Sequence, residues 1–176
     1  NATKKNSQNF WDELKDHSDV CNIEFLGGEP LLLKEYINYI EWLVDNNLSN
    51  NVMLELTTNG TVLPDVIANH ANKFLHVGVT FSIDNIGKRF EFERSGANWD
   101  SVEKNIKYMI DQPSCQVGIN TTVNIQNVYY IPELLDWVES LNLSYHSLNV
   151  LDDPYFMSIH SVVPSFIEPP ITKLKT

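Results

Sequence analysis

The residues best suited to chemistry come in short polar clusters, the first being Gly27-Gly28-Glu29-Pro30 inside FLGGEPLLLKEYI. Paired glycines let a ligand approach the main chain and expose successive amide groups to it. A carboxylate directly after them suits a cationic amino group. Packing needs only one glycine to turn a strand into a helix, so this tetrapeptide points beyond packing. Four more clusters follow: Thr57-Thr58-Asn59-Gly60; Ser82-Ile83-Asp84; Asn120-Thr121-Thr122 with Asn124; and Asn149 ahead of Asp152 and Asp153. Behind Asp84 lie Lys88, Arg89, Glu91, Glu93 and Arg94. Taken singly, Thr-Asn-Gly-Thr reads as a turn, Ser-Ile-Asp as a turn cap, and Asn120 with Thr122 as partners of nearby backbone.

What changes that reading is the company they keep, because each cluster closes an apolar run. The runs predict strands over 21–26, 52–57, 75–83, 115–123 and 145–151. The third is near-continuously apolar with Gly78 inside it. Between them, apolar residues at helical spacing predict helices over 9–16, 32–46, 63–72, 100–111 and 131–141. Leu32, Tyr36, Ile40 and Leu43 mark the inner stripe of the second, and Pro64 suits the first turn of the third. The segment between Ile83 and Asp100 reads as a polar loop, and the proline-bearing tail from Asp152 as a surface wrap. Strands alternating with helices imply right-handed βαβ crossovers and a parallel sheet, either doubly wound or curved into a partial barrel. Ligands of such sheets sit past the carboxyl ends of the strands, and there the five clusters meet.

The totals narrow the partners. The 176 residues suit one domain, divided here into a core over 1–151 and an extension over 152–176. Twelve basic residues against 23 acidic ones give a net charge of −11, which repels phosphate backbones and anionic lipid. Nucleic acid and membrane partners are therefore not expected. No apolar run reaches the roughly 20 residues of a membrane span. The five histidines are scattered without a metal-binding spacing, and the four tryptophans fall on helical faces. Cys21 and Cys115 form neither a disulfide framework nor a metal motif, and a reduced cytoplasmic setting is the expectation.

The ordered set GGEPLL, TTNGT, SIDN…RFEFER, WDSVEKNI and VGINTTVN…YYIPELLDW resembles the radical S-adenosylmethionine superfamily, in its twitch/SPASM-like branch. The resemblance covers about Glu24 to Ile159. It implies a partial (β/α)6 TIM-like barrel, here without its first strand, that holds S-adenosylmethionine beside a [4Fe–4S] cluster. It also implies roles by position. Gly27, Gly28, Glu29 and Pro30 match the segment that receives the methionyl amino group; Thr58 and Asn59 line the next strand end. Ser82 and Asp84 match positions near the ribose and methionyl groups, with Asn85 where the family has glycine. Arg94 matches an arginine that pairs with the methionyl carboxylate. Asn120, Thr122 and Asn124 match the approach to the sugar and reacting 5′ carbon, and Asn149 with Val150 the adenine site. A peptide is the substrate implied by analogy.

One family feature is missing. The cluster is held by three cysteines of a CxxxCxxC loop, and this sequence has no such loop. The resemblance then implies a core fragment, inactive as it stands, whose cofactor-orienting residues are present and whose redox centre is not. Two accounts fit this: a longer protein with the first strand and cluster loop upstream, which the start at Asn1 favours, or a natural, catalytically silent relative. With the first strand absent, residues 23–26 are expected to form an exposed apolar edge that self-associates or is covered by residues 1–20. Two rivals stand beside this reading. One is an iron-free aldolase- or isomerase-like enzyme using Lys88, Glu29 and Asp84. The other is a non-catalytic module that binds a nucleotide-like ligand or acts as a scaffold.

Overall fold

The computed structural model describes residues 10–17, 19–62 and 65–161. Five strands, β1 (Asn22–Phe25), β2 (Met53–Thr58), β3 (His76–Ser82), β4 (Gln116–Val123) and β5 (Tyr145–Val150), form one sheet in the order β1-β2-β3-β4-β5. Every neighbouring pair is parallel. Residues 10–15 are helical (α1), followed by α2 (Lys34–Asp45), α3 (Asp65–His70), α4 (Gly87–Glu93), α5 (Trp99–Ile110) and α6 (Ile131–Ser140). This sequential, all-parallel order is the α/β partial-barrel architecture expected from the sequence.

Alternation decides which face the helices cover. Ile23 and Phe25, Leu54 and Leu56, Val77, Val79 and Phe81, and Val117 and Ile119 are buried, and they share one core with the helices. In α5 the core stripe is Val102, Ile106 and Met109, and the helix starts where the Asn98 side chain accepts from Ser101 N at 3.0 Å. Burial of side chains the size of Phe81 contributes about 1.5–3 kcal/mol each.

Boundaries move by one or two residues from the sequence expectations, with three larger corrections. The expected polar loop after β3 contains α4. Its charged sequence, GKRFEFE, hides a helix anchored by one residue, Phe90, which is fully buried. Leu32 is not on the α2 stripe: it ends a 3-10 turn, Pro30–Leu32, and is exposed. The third correction concerns β1. It is a sheet edge, yet Ile23 and Phe25 are buried, and Phe25 stacks on Tyr36 of α2 at 4.4 Å between ring centroids. Among the described residues the backbone edge of β1 thus has no strand partner, but its apolar side chains are covered, although Leu26 just past it is exposed. Trp11 of α1 packs on Tyr36 and Tyr39 of α2, so the described N-terminal residues cover the helix layer. Residues 1–9 and 63–64 lie outside the described residues, as do 162–176 of the expected extension. Met157 O, in the described part of residues 152–176, accepts from Ile125 N at 3.0 Å, tying the tail to the loop after β4.

Candidate functional site

All strands run the same way, so the loops following them gather at one edge of the sheet. Two hydrogen-bonded networks organise that edge. The first is centred on Glu29 and joins the ends of β1 and β2. Thr58 Oγ1 donates to the Glu29 carboxylate, 2.8 Å from each oxygen, and Asn59 N donates to Oε2 at 2.8 Å. Leu31 N donates to Oε1 at 3.2 Å, which makes Glu29 the cap of the 3-10 turn that Pro30 opens. A carboxylate with this many amide and hydroxyl donors is fixed in place. Glu29 is thus already engaged within the protein.

The turn preceding it is open. Gly27 has φ +97°, and a Cβ added at Gly27 or Gly28 would meet nothing within 4 Å. The left-handed conformation requires glycine at 27. Among the described residues, the space at the Cβ position of both glycines is open to a ligand.

The second network is centred on Asp84 and joins the ends of β3 and β4. Arg94 Nη2 donates to Asp84 Oδ2 at 2.8 Å, and Thr122 N donates to Oδ1 at 2.7 Å. Asn127, fully buried, donates through Nδ2 to Asp84 O at 3.0 Å and Thr122 O at 2.8 Å. Its Oδ1 accepts from Asn124 N at 2.8 Å, while Asn124 Oδ1 accepts from Gln126 N. Asn127 therefore locks the two loops together. The sequence reading missed it, although its spacing of three from Asn124 is the available signal. The Glu29 network straddles β1 and β2 and the Asp84 network straddles β3 and β4. The two lie on the same edge, two interstrand spacings or about 10 Å apart.

Between and beside them, hydroxyl and amide groups run across the sheet. Ser82, Asn120 and Ser147 are register neighbours on adjacent strands, and Thr122 is opposite Asn149. Asn120 Oδ1 accepts from Ser147 Oγ at 3.0 Å and Asn149 Nδ2 at 2.6 Å. Among the described residues, Ser82 Oγ and Asn120 Nδ2 have no hydrogen-bond partner. Val150 is half-exposed at the end of β5. Every expected site residue thus stands at or next to the carboxyl edge, most of them tied into the two networks.

Beside the rim, a cleft of about 310 Å³ includes Asn85, Arg89, Phe92, Glu93 and Tyr130. Asn85, 1% exposed, donates to Glu93 Oε1 at 2.9 Å and accepts from Arg89 Nε at 2.9 Å. Burial raises the Glu93 carboxyl above the ordinary range. Asn85 thus has a structural task, joining Arg89 and Glu93.

The cysteines are elsewhere. Cys21 precedes β1 and Cys115 precedes β4, both at the amino edge of the sheet, opposite the networks. Among the described residues no group of three or more histidine, cysteine or acidic side chains is placed to hold a metal. These residues do not fit an iron–sulfur cluster. They do fit an amino-acid-bearing nucleoside: an open glycine turn, a guanidinium with unused N–H groups and free hydroxyl and amide groups share one edge. Also among the described residues, no helix is long and apolar enough to cross a membrane.

No protein-family model matches the chain. An uncharacterized protein of Methanocaldococcus jannaschii is 29% identical over 153 residues, 84% of this chain and 52% of that protein. A probable GTP 3′,8-cyclase of Methanopyrus kandleri is 27% identical over 124 residues, 69% of this chain and 38% of the other. The fold is similar to Streptococcus suis SuiB bound to S-adenosylmethionine, with TM-score 0.63 and 17% identity over 96% of this chain and 39% of SuiB. It is also similar to anSMEcpe with bound AdoMet and a peptide, with TM-score 0.59 and 19% identity over 79% of this chain and 42% of that one. TsrM of Kitasatospora setae, a radical S-adenosylmethionine methyltransferase, gives TM-score 0.55 and 12% identity over 68% of this chain and 25% of TsrM. These likenesses establish the fold, an α/β partial barrel. The chain spans about half or less of the length of the proteins it matches.

Proposed function

We propose that this chain is the S-adenosylmethionine-binding core of a radical S-adenosylmethionine enzyme of the twitch/SPASM-like branch. The observation that carries the reading is the pair of preorganised networks at one sheet edge, with an accessible glycine turn beside the first. In this reading the backbone at Gly27 and Gly28 and the outer lone pairs of Glu29 receive the ammonium group. Arg94 uses one N–H on Asp84, and its remaining donors face the carboxylate of the ligand. Ser82, Asn120 and Thr122 take the ribose, and Asn149 lies toward the base. Glu29 then has two tasks, fixing Thr58 and Asn59 and meeting the cation.

Reductive chemistry needs an iron–sulfur cluster, and the residues here do not fit one, so no redox step is assigned to this chain. The proposal places cluster ligation outside these 176 residues and treats this chain alone as inactive. A peptide substrate is the working assignment; SuiB, also similar at TM-score 0.61 with 18% identity, is known bound to its precursor peptide SuiA. The open backbone of β1 is proposed as the edge to which a second copy adds a strand, and light scattering of the purified chain tests it. A monodisperse monomer at high concentration removes that part.

Titration calorimetry with S-adenosylmethionine tests the core of the reading. The expected result is weak saturable binding that Arg94→Ala reduces at least tenfold. Absence of binding, or binding indifferent to Arg94, overturns it. A second reading, a non-catalytic binding module, is favoured by the lack of a cluster ligand set. It predicts equal affinity for adenosine and S-adenosylmethionine.

A further inference from the structure

The helix-free face of the sheet carries a second polar constellation, well below the rim. Its positions alternate with the buried ones, and among them Glu55, Gly78, Thr80 and Tyr145 stand out. A Cβ at Gly78 would collide with the Glu55 carboxylate, and one at Gly118 with the Tyr145 ring. Each side chain therefore lies flat across the neighbouring strand, in a slot that only glycine leaves. Glu55 reaches inward from β2 and places Oε1 3.0 Å from His76 Nε2. Tyr145 reaches inward from β5, across β4, and its hydroxyl meets Thr80 Oγ1. Both tips thus arrive over β3 from opposite sides, about 7 Å apart along the strand, the span of two residues.

The charge of this floor is one-sided. Glu24 is the register partner of Glu55 on the same face. No inner-face position of the five strands is lysine or arginine. The side chain of Glu55 is 38% exposed, and its Oε2 has no partner among the described residues. A half-exposed carboxylate anchored through one oxygen, with no hydrogen-bond partner on the other, about 7 Å from a phenol and on an acidic surface, is complementary to an amine or guanidinium.

We infer that the floor formed by Glu55, His76 and Tyr145 is a substrate subsite that takes a cationic, amine-bearing group. This deepens the cofactor reading by naming the class of molecule that would lie beneath the rim, and it rests on that reading for its place in a reaction. A lysine or arginine side chain of a peptide has the required charge and reach.

The test is amide shift mapping of the isotope-labelled full chain with two probes, N-acetyl-lysine methylamide and its norleucine counterpart. The lysine probe should shift Glu55, Gly78 and Thr80 in a saturable way, and the norleucine probe should not. Glu55→Gln should weaken the response at least tenfold. Gly78→Ala, which pushes a flexible carboxylate aside, should weaken it as well. Equal response to both probes, or no loss in Glu55→Gln, overturns the inference. S-adenosylmethionine titrated onto the same samples separates the two claims. Shifts at Gly27, Gly28 and Asn59 that persist in Glu55→Gln keep the cofactor reading whatever the lysine probe does. Their absence from the unaltered chain sinks that reading and leaves the subsite to its own result.

Discussion

The two faces of the same five strands differ in almost every respect. On the face under the helices, Leu54, Val77, Val79, Phe81 and Ile119 are fully buried and belong to one hydrophobic core. On the other, Glu55, His76, Thr80, Ser82, Asn120 and Tyr145 alternate with them and remain in reach of solvent. The pleat separates folding from recognition residue by residue. One face can therefore change without unfolding the other.

The largest effect should come from the covered face. Phe81→Ala should cost about 3–5 kcal/mol in urea or thermal unfolding. Thr80→Ala, its immediate neighbour on the open face, should cost under about 1 kcal/mol, since it removes one partly exposed hydroxyl. Comparable losses at the two positions would break the comparison. Next comes the rim, where both kinds of work overlap. Asp84→Ala removes acceptors for Arg94 and Thr122 N and should cost about 1–2 kcal/mol, discounted because Asp84 and Arg94 are 22% and 29% exposed. It should also abolish measurable S-adenosylmethionine binding. Loss of stability without loss of binding would reduce Asp84 to a brace.

The smallest effect concerns the amino edge of the sheet and leaves stability untouched. Burial pushes the Cys115 thiol up to about 11, so at pH 8 only about a thousandth is thiolate. Cys21 is exposed. Iodoacetamide at pH 8 should label Cys21 and spare Cys115 in the native chain, with Cys115 becoming reactive in urea or as the pH approaches 11. Equal labelling rates would show that the lower end of β4 is open.

How much of this was legible in the sequence follows the same division. The parallel sheet was legible because apolar runs bounded by turn residues recur with helical stretches between them. The rim was legible because its clusters end those runs. Helix α4 was not, since its seven residues carry a single fully sequestered side chain, Phe90, amid charges. The open face was not legible either. Residues 75–83 read as a near-continuous apolar run because glycine and threonine at 78 and 80 dilute the alternation without reversing it. Convergence of Glu55 and Tyr145 depends on strand register, which no single segment encodes. Nor could spelling alone show that Glu29 already holds Thr58, or that Arg94 is held by Asp84.

The most direct test of the central claim is an amide-resolved titration of the chain with millimolar S-adenosylmethionine. The account predicts saturable shifts at Gly27, Gly28, Asn59, Asp84 and Thr122, spanning both networks of the rim. Shifts confined to the cleft around Asn85, Phe92 and Tyr130, or none at all, would contradict it.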